Sequence, residues 1–538
     1  MRVHRLDLHE HAAFIALTLL VISGLAAHLY ATRWGIGLSP DSATYISGAI
    51  GIATGKGYSF PLGNPAWQPI SLWPPMFSIV LALPIALGAD PLSSARWLNG
   101  ALLGANAALV AVLLRRLPKT PLWVPVLGAA FFLLDPDVVY THGWAWSEGL
   151  FLFLGFLGLF YADRYVASQK RRDLVLSAAM TGLALMTRYS GIAFVLTGAL
   201  VVTVLPLHRP FKSSRLLDAI LFAAVSFALF VAWSLRNAAV AGTTTGAEFT
   251  AQTVRPDEWS GAYRILGLWF MPGRLAEPTR THIMLLVGLL FVGAAIVFFR
   301  EAYHASGRPE GDTAHLGLMG VSFSVIFALV LVFSRLLIRK FPLDDPRLLL
   351  PLYPALIITL CALGWLLHRK ARLALGASPQ VGATRWLVGG AGVAIAGYLL
   401  LLLASHSLHA AQWILDSHSQ GMGYSSDSWR SNTLVDLVRS LPEDIPVYSN
   451  GYDALFLLTR REVHPLPEAG PPTPPPRIEA LPAPWQEMVD ALRSQKGLIV
   501  FFNRPTRRGM VTEETVTETL TLCASLVVRE GRVFRWCD

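Results

Sequence analysis

Two carboxylates stand where long apolar runs meet polar loops. Asp41 follows the first apolar run, in Leu38-Ser39-Pro40-Asp41-Ser42-Ala43-Thr44-Tyr45, and Glu148 opens a later one after Trp146-Ser147. A carboxylate at the mouth of a membrane span is costly unless it pairs, binds or reacts. Placed there it can take the proton of an attacking hydroxyl, while a guanidinium holds a departing phosphate. The basic candidates are Arg188, in the turn Thr187-Arg188-Tyr189-Ser190-Gly191, and Arg347, in Asp345-Pro346-Arg347-Leu348. Arg347 belongs to a group with Arg335, Arg339 and Lys340 around Asp344 and Asp345. Such a group suits an anionic headgroup, and it equally suits interfacial snorkelling or pairing with the aspartates. Tyr45, Lys56 and His142 are the further binding candidates, Lys56 and His142 fitting a structural role at least as well. Asp41 also fits the cap of a helix beginning at Ser42. Glu148 also fits the positive end of a helix dipole. No metal is expected: the first loop has no Asp-x-Asp pair, and a rigid proline separates the acids of Asp135-Pro136-Asp137.

The elements that position these residues are membrane spans. The chain has 538 residues, 53% of them hydrophobic and 15% charged, against about 25% charged in a soluble domain. Apolar windows long enough to cross a bilayer recur from residue 12 to residue 408. Eleven spans are expected, at about 12–30, 94–115, 119–135, 147–166, 172–188, 190–207, 215–236, 281–300, 314–335, 347–367 and 385–407. The first, about 19 residues, exceeds the usual apolar core of a signal peptide and reads as an uncleaved anchor. A cytoplasmic N-terminus puts Arg115, Arg116, Arg164, Arg171, Arg209, Lys212, Arg300, Arg308, Arg369 and Lys370 in cytoplasmic turns. The net charge of +9 is therefore a matter of topology and not of nucleic-acid binding.

That charge pattern requires the proline-containing piece 73–89 to lie on, or dip into, the outer face without crossing. The transmembrane domain then covers 1–408, with outer loops 31–93, 136–146 and 237–280, the last carrying Glu248, Arg255, Asp257, Glu258, Arg264 and Arg274. Residues 409–538 read as a small extracytoplasmic α/β domain with strands at 445–449 and 497–502 and a proline-rich linker over 465–484. Near its end, β-forming runs at 522–528 and 532–536 flank a three-residue turn centred on Glu530. Equal spacing from that turn sets Cys523 opposite Cys537, which predicts a disulfide and leaves Cys361 free in a span.

Four short motifs lie along residues 1–370 in this order: Asp41-Ser42-Ala43-Thr44-Tyr45, Trp73-Pro74-Pro75-Met76, Trp146-Ser147-Glu148 and Asp345-Pro346-Arg347-Leu348-Leu349-Leu350-Pro351. Together they resemble the GT-C superfamily of membrane glycosyltransferases, in the branch of protein O-mannosyltransferases and aminoarabinose lipid A transferases. The resemblance implies a polytopic helical fold and inverting transfer of a sugar from a polyprenyl-phosphate donor to a lipid, glycan or protein acceptor. Composition and the outer domain suggest the extracytoplasmic face of a prokaryotic plasma (inner) membrane, with a eukaryotic endomembrane as the alternative, and no cofactor is expected. The resemblance also implies roles for Asp41 as base and Glu148 near the acceptor; by their own chemistry Arg347 suits the carrier phosphate, and Arg188 suits either that phosphate or an anchor at the membrane interface. A flippase for lipid-linked sugars would instead carry ionisable groups at the midplane of repeated halves, and a scaffold would leave the two carboxylates unused.

Overall fold

The computed structural model describes residues 2–61, 67–204, 213–247, 249–273, 277–304, 309–338, 342–377, 382–467, 481–504 and 510–537. Of the residues named above, Arg209, Lys212, Glu248, Arg274, Arg308, Arg339 and Lys340 lie outside the described residues, as does most of the proline-rich stretch.

In chain order the helices begin with α1 (Arg2–Ala31), α2 (Pro40–Ala53), α3 (Met76–Ala86), α4 (Pro91–Leu114), α5 (Trp123–Leu133), α6 (Pro136–His142) and α7 (Glu148–Ser168). Next come α8 (Arg171–Leu185), α9 (Ile192–Thr203), α10 (Ser213–Ala241), α11 (Pro256–Leu268), α12 (Glu277–His304), α13 (Pro309–Leu337), α14 (Pro346–Leu349), α15 (Leu352–Ala377) and α16 (Gly382–Gln420). The last are α17 (Asp427–Arg430), α18 (Thr433–Ser440), α19 (Tyr452–Thr459), α20 (Ala483–Ser494) and α21 (Glu513–Thr519). The strands are β1 (Ser59–Pro61), β2 (Trp67–Pro69), β3 (Val447–Ser449), β4 (His464–Pro465), β5 (Leu498–Phe502), β6 (Leu522–Val528) and β7 (Gly531–Trp536).

X-Pro steps punctuate this order. Proline pushes the preceding residue into extended backbone and suits the first helical position itself. Ser39, Asp135, Arg255 and Asp345 are all extended before Pro40, Pro136, Pro256 and Pro346, where α2, α6, α11 and α14 begin. Ser39, not Asp41, caps α2: its hydroxyl accepts from the Ser42 backbone N–H at 3.3 Å. Asp135 caps α6, accepting from the N–H groups of Asp137 and Val138 at 3.0 and 3.1 Å.

Among the described residues eight helices are long and apolar enough to cross a membrane, parts of α1, α4, α7, α10, α12, α13, α15 and α16, or nine if the bent pair α5–α6 counts as one span. Eleven full-length spans are not what the described residues form. The expected span 119–135 is α5, which bends by 62° into α6 at the Asp135-Pro136 step. Those at 172–188 and 190–207 are α8, of 15 residues, and the short apolar stretch Tyr189–Thr203. Within 73–89 the helix α3 has 11 residues, a rise of about 16 Å against about 30 Å of hydrocarbon.

The polypeptide divides into two compact units. The first comprises Met1–Ala31, Ser71–Phe77 and Arg96–His418. Its helices approach through small residues. A Cβ on Gly182 would stand 2.6 Å from the Ser226 carbonyl oxygen, and the Ser177 hydroxyl donates to the Gly158 carbonyl at 2.8 Å. Phe151, Phe156, Phe194, Phe323 and Phe327 form an aromatic core between α7, α9 and α13. Leu285, Leu289, Ile296, Val393 and Leu400 are exposed on α12 and α16, as lipid-facing positions are. The basic turns hold acids: Arg116 meets Asp163 at 2.6 Å, Arg164 meets Asp173 at 3.5 Å, and Lys370 pairs with Glu301.

The second unit comprises Thr32–Ile70, Ser78–Ala95 and Ser419–Asp538. It therefore joins much of the first loop to the C-terminal segment, a grouping that a linear boundary at residue 408 does not contain. Its sheet runs β4-β3-β5-β7-β6, with β3 parallel to β4 and β5, and β7 antiparallel to β5 and β6. Trp485, Met488, Val489 and Leu492 of α20 pack with Ile499 and Phe501 in one core. Trp429, Leu434, Val435, Val447 and Val500 form the other. The first-loop residues join through Leu38, whose carbonyl accepts from Tyr424 N–H at 3.0 Å, and through Trp67, whose indole donates to Glu462 at 3.0 Å.

Cys523 and Cys537 form a disulfide with Cα atoms 5.1 Å apart. The register differs from equal spacing about Glu530. Val528 pairs with Gly531, a bulge falls between Ala524 and Leu526, and Cys523 lies opposite Arg535. Cys537 follows on the same face as Arg535, so the bridge closes diagonally.

Candidate functional site

In the first unit, charged groups gather around the start of α7. Glu148 is 1% exposed. Its Oε1 accepts from Arg188 Nη1 at 2.6 Å, and the same nitrogen reaches Ser147 Oγ at 3.3 Å. Glu148 Oε2 is buried with no hydrogen-bond partner among the described residues. Arg188 follows the end of α8 in extended backbone, where the chain turns into Tyr189–Gly191, and that conformation carries its side chain to α7. The pair uses two residues that the sequence singles out separately.

Arg347 is held from two sides. Its backbone N–H and Nε donate to Asp345 at 3.1 and 2.6 Å, and its guanidinium lies 4.7 Å from the Trp146 ring centre. Trp146 stacks on Trp144 at 4.8 Å, and Tyr140 meets both edge-on. Tyr140 lies within electrostatic reach of Asp137, Asp345, Arg347 and Glu148. It is therefore the aromatic centre of the cluster, and its sequence signal is only its position between Asp135-Pro136 and the Trp144/Trp146 pair.

His142 lies in the core of the bundle. It is 1% exposed, its Nδ1 donates to the Val138 carbonyl at 2.8 Å, and its Nε2 faces Asn106 Nδ2 at 3.3 Å. Both ring nitrogens thus face partners inside the bundle. Asp137 accepts from the Trp269 indole at 2.9 Å, and Asp135 Oδ2 lies 3.4 Å from His406 Nδ1. Among the described residues no three His, Cys, Asp or Glu side chains come together as a metal site would need.

Among the described residues Arg335 takes its ion pair from Glu258, not from Asp344 or Asp345. It is buried and forks onto Glu258 of α11, Nε to Oε2 at 2.5 Å and Nη2 to Oε1 at 2.7 Å. Arg255 adds a third contact to Glu258 at 3.1 Å. The Arg335 hydrogen bonds, and then those of Arg255, hold the Glu258 carboxyl at about 2 against the opposing effect of burial. The sequence shows these residues in separate loops and gives no sign of their pairing.

Asp41, Tyr45 and Lys56 belong to the second unit. Asp41 is half-buried in the first turn of α2, where the helix dipole favours a carboxylate. Tyr45 is 3% exposed, and its carbonyl accepts from Ser78 Oγ at 2.8 Å. Lys56 is exposed between Gly55 and Gly57, both with positive φ, and its ammonium lies 4.4 Å from the Trp67 ring centre. Asp41 and the Glu148–Arg188 pair thus fall in different units.

No family model matches the sequence, and no curated protein does. Solved structures match it over nearly its whole length. ArnT from Cupriavidus metallidurans in the apo state covers 97% of this chain and 98% of its own, at 17% identity and a TM-score of 0.58. The same protein bound to undecaprenyl phosphate gives 96%, 97%, 17% and 0.54. The chain has the GT-C fold. Arabinofuranosyltransferase AftD from Mycobacteria, a second GT-C protein, aligns with 97% of this chain over 40% of its own length, at 15% identity and a TM-score of 0.51. Glu148, Arg188, Asp345, Arg347 and Tyr140 are therefore groups set into a GT-C helical bundle, and Asp41 stands on the helix that follows its first span.

Proposed function

We propose that this protein is an inverting glycosyltransferase that moves a hexose or pentose from a polyprenyl-phosphate donor to an acceptor on the extracytoplasmic face of a plasma (inner) membrane. The observation that carries the reading is a cluster of acidic and basic side chains, Glu148–Arg188 and Asp345–Arg347, in a membrane bundle whose fold matches ArnT over nearly its whole length. ArnT has been captured with undecaprenyl phosphate, which supports a polyprenyl carrier here.

Asp41 is the base in this reading. Its carboxylate takes the proton of the acceptor hydroxyl while that oxygen bonds to the anomeric carbon. The bond from that carbon to the phosphate oxygen breaks on the opposite face, and the carrier leaves as an anion. Capping does not account for Asp41, because Ser39 caps α2. Arg347 stabilises the departing phosphate, its guanidinium oriented by Asp345 and Trp146.

The test is an assay with a labelled polyprenyl-phosphate sugar. Release of free carrier phosphate together with label on an acceptor supports the reading. Movement of intact donor between leaflets without cleavage refutes it in favour of a transporter.

A further inference from the structure

We propose that the Glu148–Arg188 pair reads one uncharged hydroxyl of the transferred sugar, and so selects a neutral sugar over a cationic or anionic one. This deepens, and rests on, the glycosyltransferase reading above.

The two side chains use each other incompletely. Arginine and carboxylate usually meet as a fork, with two parallel N–H···O bonds. This chain builds such a fork for structure, since both Glu258 oxygens bond to Arg335. At Glu148 only Oε1 is engaged, by a single Arg188 nitrogen. Oε2 is buried and has no partner among the described residues. Arg188 makes no hydrogen bond through its Nε or Nη2 among the described residues. A buried acceptor without a donor is destabilising, so the native complex has reason to supply one. The Arg188 side chain is 19% exposed and that of Glu148 is 2% exposed, so a ligand enters from the arginine side.

The two unused functions differ in sign. Oε2 accepts, and the free guanidinium N–H groups donate. A hydroxyl satisfies both, donating to Oε2 and accepting from Arg188. An ammonium satisfies Oε2 but is repelled by Arg188, whereas a carboxylate or phosphate is drawn to Arg188 and repelled by Glu148. The neighbouring Arg347–Asp345 pair is itself balanced and supplies no net charge to offset either repulsion. A second buried polar atom without a partner, Trp144 Nε1, lies in the same segment of chain, where a polyhydroxylated ligand has a further acceptor to offer.

The test is competition binding to the full-length protein in lipid nanodiscs, read against labelled polyprenyl phosphate. The competitors are a polyprenyl-phosphate pentose, its amino-deoxy analogue and the corresponding uronate. The neutral donor is expected to compete at least tenfold better than either charged analogue. Glu148→Gln is expected to narrow the gap to the uronate severalfold, while affinity for bare polyprenyl phosphate is retained as the control for folding. Arg347→Ala is expected to weaken all the carriers alike and keep the ratios. Equal binding of charged and neutral donors by the wild type overturns the proposal. So does a Glu148→Gln variant that loses every donor in equal proportion. Turnover is measured on the same samples. Selective binding without sugar transfer upholds the hydroxyl-reading pair and counts against the glycosyl-transfer reading alone.

Discussion

Replacing Glu258 by Gln isolates the buried fork that fastens α11 to α13. Gln keeps the shape and one acceptor but leaves Arg335, 8% exposed in its side chain, without a counter-charge. The carboxyl sits at about 2 instead of 4.5, which at about 1.4 kcal/mol per pH unit is about 3 kcal/mol. Water beside Arg255, 66% exposed, screens part of this, leaving about 2–3 kcal/mol. Loss of one partner of a buried pair costs roughly 3–5 kcal/mol, so the two routes agree in scale. The folded-state value is depressed, so the stabilisation is complete above about pH 4.5 and fades as pH falls toward 2. Hydrogen exchange of the α11 amides at pH 7 reads this locally. Glu258→Gln is expected to speed their exchange roughly 30- to 160-fold, with α7 and α8 unchanged. An α11 exchange rate within threefold of wild type refutes the claim that the fork holds this helix.

Asp41→Asn is expected to lower transfer by about 10²–10⁴-fold with expression and folding retained, and activity within threefold of wild type removes Asp41 as base. Arg347→Ala is expected to weaken carrier binding by about 1.5–3 kcal/mol, and an unchanged affinity by competition binding rejects the phosphate contact. Burial holds the His464 imidazole below its usual 6.5, against the pull of Glu462 and Glu487. The unfolded chain therefore takes up the proton first, and the thermal midpoint of the second unit should fall as pH drops below about 6.5. His464→Gln should flatten that dependence, and an equally steep profile in the variant argues that other groups set it. Intact mass after alkylation without reductant should show one modified thiol, Cys361, in accord with the Cys523–Cys537 bridge.

What the sequence reveals of this protein follows from which forces act locally. Apolar length, basic turns and the Pro40-Asp41 step act within a few residues, so the membrane bundle, the short α3 and the start of α2 could be read from residue order. The disulfide could be read too, because β6 and β7 are joined by a turn, although the bulge near Ala524 shifted the register. Span count was less legible. A hydropathy window cannot see that Asp135-Pro136 turns the chain by 62° inside an apolar run. Pairing between distant segments was not legible at all. Glu148 with Arg188 spans 40 residues, and Glu258 with Arg335 spans 77. Charged residues in separate loops look alike until the bundle brings them together. The contrast between those two pairs then carries information that composition cannot. Both carboxylate oxygens are used in the Glu258–Arg335 fork, whereas among the described residues the Glu148–Arg188 pair leaves one buried oxygen that can take a donor.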